Sequence, residues 1–238
     1  MTEALAQNKL VQRIRQELHD RANPALAAGM FAYMKGVQPL LGIQTPARRE
    51  VVRAALKLEP DRTARFVAAL ELWAGQFREE RYTALDVLAS SRLRPADLPF
   101  LEGLLPTADH WDVLNSLSPL LAGAFADEEQ RRERVQVWRV SPHLWTRRAA
   151  VLAQLKAKKN TDTDLLMETI RAVQHEREFF VQKAIGWALR EYAKTDPAWV
   201  RAAVETLGLT GLARREALKH LTRREEICAS NGPMSRLR

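Results

Sequence analysis

The chain reads as all-α, an α-solenoid of antiparallel helix pairs, and three observations predict that class. Ala, Leu, Arg and Glu dominate its 238 residues, Val-Ile-Thr alternation is absent, and Gly (10) and Pro (11) fall mainly between periodic runs. Capping residues stand directly before prolines at Asn23-Pro24, Thr45-Pro46, Ser141-Pro142 and Asp196-Pro197, which places each proline at the first helical position. One kind of segment also recurs: RYTALDVL (Arg81 to Leu88), RRAAVLAQL (Arg147 to Leu155), QKAIGWAL (Gln182 to Leu189) and RREALKHL (Arg214 to Leu221). Each opens on a basic or polar residue and closes on Leu.

The elements follow in order. Asn23-Pro24 and Thr45-Pro46 start two helices, and Arg81 to Leu88 is the first recurring segment. Thr107 or Asp109 caps a helix that carries Trp111, and Pro119 kinks or ends it. Ser141-Pro142 starts the helix leading into the second copy. From Ala84 to Ala150 is 66 residues, two periods of 33; Ala150 to Ile185 is 35 and Ile185 to Ala217 is 32. That period suits stacked helix pairs; a compact bundle of similar helices is the alternative. A right-angled stack curves, and its second helices line a concave face, so the recurring segments would turn basic residues into one groove. Arg214 to Arg238 holds seven basic against three acidic residues, Arg223, Arg224, Arg236 and Arg238 among them, and Ser230 to Arg238 reads as a frayed tail. With no Gly/Ser linker or change of composition, 1–229 is expected to form a single domain, and 230–238 a flexible tail.

Thirty-seven Lys and Arg against 29 Asp and Glu leave a net charge of +8, an excess that favours nucleic acid or an anionic surface. A lone cysteine, Cys228, excludes an intrachain disulfide and fits a reducing compartment. No apolar run approaches the roughly 18 residues of a membrane span, and the N-terminus lacks a signal pattern. The expectation is a cytoplasmic protein off the membrane.

The sharpest feature is Phe179 to Lys194, FFVQKAIGWALREYAK. At about 100° per residue, Lys183, Trp187, Arg190 and Lys194 share a narrow arc, while Val181, Ile185, Ala188, Leu189 and Tyr192 form an apolar face opposite. A tryptophan among cations rather than leucines points to an anionic ligand with flat rings and sugars, such as DNA. In TADHWDVLNSLSPLL, Trp111, Asn115 and Ser118 likewise share one face, with Val113, Leu117 and Leu120 on the other. Two such tryptophans could flank a sugar or base, or could be ridge residues packing against adjacent repeats. Trp73, Trp138, Trp145 and Trp199 carry no such stripe and read as core.

No other chemistry is written in the chain. Five scattered histidines and one cysteine make no metal site, and phosphate-loop, dinucleotide and nucleophile-elbow patterns are missing, so neither metal nor cofactor is expected.

Five blocks resemble the AlkD family of bacterial DNA alkylation repair glycosylases: YMKGVQPLLGIQTPARR (Tyr33 to Arg49), HWDVLNSL (His110 to Leu117), RRAAVLAQLKAKKNTD (Arg147 to Asp162), FFVQKAIGWALREYAKTDP (Phe179 to Pro197) and REALKHL (Arg215 to Leu221). The resemblance implies HEAT-like repeats whose concave basic groove holds duplex DNA containing alkylated bases. It also implies hydrolysis of the N-glycosidic bond of cationic N3- and N7-alkylated purines without extruding the base. The family uses two tryptophans and an aspartate, and Trp111 and Trp187 match the tryptophans. The aspartate position, four residues after the first tryptophan, holds Asn115. A neutral amide lacks the charge aimed at the oxocarbenium, and Asp112 lies about 100° away around the helix. Three readings stay open: a weak glycosylase, one using another carboxylate, or a DNA-binding relative without excision. A protein-interaction scaffold is a further, more distant reading.

The resemblance also places Tyr33, Gln38 and Arg148 beside DNA; Lys35 and Lys156 are expected to join them, with Lys183, Arg190, Lys194, Arg214 and Arg215 on the basic stripes. Arg148 shares its helix face with Leu144, Leu152 and Leu155, so a structural role competes; Tyr33 could equally be a core residue with its hydroxyl outward. Lys156, Lys158 and Lys159 read first as a solvated face, though a loop this basic could touch phosphate. A monomer is expected.

Overall fold

The computed structural model describes residues 8–59 and 61–230, with side chains up to residue 221. Among the described residues there are thirteen α-helices, three short 3-10 turns and no strand. The chain is all-α, as its composition predicts. The side chains of Arg223, Arg224 and Cys228 lie outside the described residues, as do Arg236, Arg238 and nearly all of the expected tail.

The described chain groups into two compact units, one of residues up to Leu101 with Asn115–Ala124, the other of Glu102–Leu114 with the residues from Phe125 onward. In the first, α1 (Lys9–Asp20) packs on α3 (Thr45–Lys57) and α4 (Arg62–Trp73), while α5 (Arg78–Ala89) packs on α3 and α4. Between α1 and α3, α2 (Pro24–Tyr33) buries none of its ten residues. The extended stretch after α2 is pinned by Glu79, a fully buried carboxylate that accepts from the backbone N–H groups of Leu41, Gly42 and Ile43 at 2.9, 2.9 and 3.1 Å. Gly42 has φ +83°, and a Cβ there would lie 2.1 Å from the Asn23 carbonyl oxygen, so only glycine fits this crossing. A short α6 (Leu98–Glu102) follows, and then α7 (Trp111–Ala124).

The second unit stacks α8 (Glu128–Trp138), α9 (Leu144–Leu152), α10 (Thr163–Val173), α11 (Phe179–Tyr192), α12 (Pro197–Thr206) and α13 (Gly211–Ser230). Here α9 packs on α11 and α11 on α13; α8 and α10 back α9, and α12 backs α11 and α13. Those three alternate helices carry three of the four recurring segments, so the 33-residue spacing marks a stack of α-solenoid type rather than coincidence. Val181, Ile185 and Leu189 of α11 are fully buried at its centre, as the apolar face predicts. Trp73, Trp138 and Trp145 are buried, and Trp199 packs half-buried on the core with its ring edge-on to Tyr192 at 5.2 Å.

Punctuation held at two of the four proline sites. Asn23 and Asp196 cap α2 and α12, accepting from Leu26 N and Trp199 N. Thr45 is instead the first residue of α3, after an uncapping Gln44. Ser141 accepts from His143 N in the turn, and α9 starts only at Leu144. Likewise His110, not Thr107 or Asp109, occupies the cap position of α7, and Pro119 sits inside a helix that continues to Ala124. A single proline loses one backbone bond, a loss that tertiary packing can offset, so it breaks a helix less surely than sequence rules suggest. No helix among the described residues is long and apolar enough to cross a membrane.

Candidate functional site

Trp111 opens α7 inside a set of rings. The His110 ring lies 5.8 Å from that of Trp111, 6.0 Å from Trp145 and 5.6 Å from Phe180, and Trp145 and Phe180 are 5.2 Å apart. His110 Nδ1 and Asp112 Oδ1 share a hydrogen bond of 3.0 Å, which ties the ring to a carboxylate that is itself buried. Trp111 therefore starts the helix against a tilted His110 ring that two further aromatic rings hold from behind. It is half-buried, as is Asn115 one turn along, whereas Ser118 is buried at 4% exposure and does not share their outlook. The buried stripe of α7 (Val113, Leu114, Leu117, Leu121) is wider than an isolated helical wheel assigns.

Trp187 sits in a different setting. It packs half-buried against the core of its unit, so its ring is not turned fully to solvent as the stripe predicts. The reason is α13. At Gly186 an added Cβ would meet Glu216 Cβ at 2.4 Å and the Ala213 carbonyl oxygen at 3.0 Å, so α13 covers part of the charged side of α11. Glu216 then takes both flanking cations: Lys183 Nζ donates to Oε1 at 3.0 Å, and the Arg190 guanidinium donates to Oε2. The hydrogen bond from Lys183, reinforced by Arg190 and opposed by burial, holds the Glu216 carboxyl below the usual carboxylate range. Lys194, exposed, lies in the turn after α11 rather than on the helical stripe the sequence predicts, because the helix ends at Tyr192; it pairs with Glu191 at 2.6 Å.

The remaining candidates divide by exposure. Tyr33 is 74% exposed, not a core residue, and Lys35 is exposed with φ 53°, a left-handed conformation rare for lysine. Gln38 is spent on structure: its amide donates to the carbonyls of Gly75 (2.9 Å) and Gln76 (3.0 Å) and its oxygen accepts from Arg78. Lys156 and Arg215 are exposed, and Arg214 pairs with Glu205 at 2.7 Å. Arg148 is 2% exposed and donates to the Phe180 carbonyl, which ties α9 to the start of α11. Burial pushes its guanidinium down to about 10, so it stays charged at neutral pH. As it stands it is a buried link rather than a surface cation, as its place on the leucine face allowed.

Sequence reasoning passed over His110 as a support for Trp111, and Glu216, which it counted only as a charge in a basic stretch. The signal for Glu216 was spacing. It lies 33 residues after Lys183, one repeat further on.

Known proteins bear on this arrangement. The sequence profile described as DNA alkylation repair enzyme matches residues 14–221. A solved structure, a predicted DNA alkylation repair enzyme from Enterococcus faecalis, is 30% identical with a TM-score of 0.79, over 85% of this chain and 97% of its own. No protein of curated function matches. With the profile spanning most of the helical array, and both tryptophan-bearing helices inside it, the chain belongs to the DNA alkylation repair enzyme family.

Proposed function

We propose that the protein binds duplex DNA and hydrolyses the N-glycosidic bond of cationic N3- or N7-alkylated purines, as a monofunctional glycosylase needing neither metal nor cofactor. One observation carries this reading: a half-buried Trp187 flanked along α11 by Lys183 and Arg190, in a chain matched to the family over residues 14–221. An alkylated purine already carries positive charge, so it departs without a general acid. The work left is to stabilise the oxocarbenium sugar and admit a water. Indole faces stabilise a cation at short range, which suits Trp111 and Trp187. Asn115 keeps a hydrogen-bonding oxygen that can orient water but contributes no fixed negative charge. The exposed Lys156, Lys194, Arg215 and Lys35 suit phosphate contacts, with Tyr33 beside Lys35 for sugar or base.

Release of 7-methylguanine from methylated duplex DNA, followed under single-turnover conditions, is the test. Excision above the spontaneous depurination rate is the expected result. Tight, salt-dependent binding with no excision would instead establish a catalytically silent DNA-binding protein, the second reading, which Asn115 favours. Absence of both would leave a protein-interaction scaffold.

A further inference from the structure

One carboxylate, Glu216, takes both cations that flank Trp187. Lys183 and Arg190 lie seven residues apart on α11, with Trp187 between them, and both donate to this one carboxylate. The arrangement is built, not incidental. Gly186 leaves room for α13 to approach until its Glu216 Cβ nearly touches the α11 backbone, and Arg190 also donates to the Glu216 carbonyl at 3.3 Å. The glutamate side chain is 12% exposed, against 42% for Lys183 and 21% for Arg190. At the end of α11 Glu191 holds Lys194 of the following turn, so three cations and two carboxylates leave one net positive charge.

We propose that Glu216 is a specificity-determining residue: an internal carboxylate that occupies Lys183 and Arg190 in the free protein and so restrains binding to undamaged duplex. The inference rests on the DNA-binding reading above. A cation held by a carboxylate neutralises no phosphate and so releases no counterion from the DNA, and it adds little to the salt-dependent, sequence-independent part of affinity. To use either cation a phosphate must displace Glu216. On undamaged DNA nothing offsets that exchange; at a lesion the added contacts to the modified nucleotide do. Lys183 and Arg190 therefore act late and conditionally, whereas exposed cations such as Lys156 act on any duplex.

The experiment measures binding of an unmodified duplex by fluorescence anisotropy between 50 and 200 mM KCl, for the full chain and two variants. Glu216→Gln keeps the size of the side chain and frees both cations. At about 0.9 in slope per phosphate contact, it should steepen the log K against log salt line by up to about 1.8. It should bind more tightly at 50 mM and lose about tenfold more affinity than wild type across that range. Lys183→Gln is a surface change that does not depend on the α11–α13 contact surviving. With Glu216 present it should alter the slope by less than about 0.5. A folded Glu216→Gln protein with the wild-type slope or weaker binding overturns the proposal, as does a full loss of about 0.9 in Lys183→Gln. Wild-type binding with an unchanged Glu216→Gln sinks the inference alone; no duplex binding by either protein sinks the DNA reading with it.

Discussion

The two tryptophans of the candidate site are both half-buried and are held by opposite physics. Trp111 leans on rings: His110 touches it, Trp145 and Phe180 touch His110, and Asp112 anchors the imidazole. Trp187 stands in a lattice of charges, with Lys183 and Arg190 drawn to Glu216 across the α11–α13 contact. Ring packing is short-ranged and indifferent to salt, and it holds one geometry. Ion pairs at a partly exposed surface exchange partners and weaken with ionic strength. The first setting suits a fixed wall, the second a face whose charged partners can be exchanged. On the proposed reading, Trp187 is the tryptophan whose surroundings DNA would rearrange.

The largest expected effect sharpens the fixed side of this comparison. Asn115→Asp puts an anion one turn from Trp111, where it favours the oxocarbenium chiefly in the transition state. Excision of 7-methylguanine should rise by about 10²–10³-fold if the surroundings hold the carboxylate in place, with DNA affinity little changed. Single-turnover rates on one defined lesion decide it. Equal rates from two well-folded, equally tight binders would mean that the missing charge is not what limits this protein.

Truncating the tryptophans compares the two settings directly. Trp145→Ala removes a ring that is 8% exposed and should lower stability by about 3–5 kcal/mol. Trp111→Ala and Trp187→Ala should each lose roughly half as much, yet affect recognition of modified DNA far more than Trp145→Ala affects it in whatever folded fraction remains. Urea unfolding gives the first quantity and titration with a lesion duplex the second. A full core-sized loss for Trp187→Ala would place that ring in the core and remove it from the candidate site.

The smallest effect belongs to the charged side. The Glu216 carboxyl is depressed in the folded protein, so its contribution to stability is present above its unfolded value and fades as pH falls through the lower folded value. The stability difference between wild type and Glu216→Gln should therefore be constant at neutral pH, close on acidification below the usual carboxylate range, and shrink in high salt. A difference that persisted unchanged at pH 2 would show that packing, not charge, is what Glu216 contributes.

Much of this architecture was legible from residue order. The recurring segments fall on α5, α9, α11 and α13, and the apolar face of α11 is buried as its periodicity says, because a 3.6-residue repeat is a property of one helix. The ion pairs were partly legible too. Arg147–Glu176, Arg132–Asp162, Arg134–Glu102 and Lys183–Glu216 join residues 29 to 33 apart, close to the helix-pair period, so each ties one repeat to the next. The wheel misread what tertiary packing decides: Ser118 looked exposed and is buried, and Trp187 looked solvated and packs on the core. Gln38, taken from the resemblance as a ligand for DNA, donates to two backbone carbonyls.

By itself the sequence determined the helical class, the repeat period, the basic balance, the two tryptophans and the asparagine that separates this chain from the pattern it resembles. These are local or compositional properties, carried by residue identity and spacing along one chain. Only the tertiary structure decided which charges are free. Arg148 is buried between two helices, Glu216 reaches back one repeat to hold Lys183 and Arg190, and His110 is wedged among three rings, because each outcome depends on how closely two helices approach. That distance is set by packing, here by the missing side chain of Gly186, and no single helix contains it.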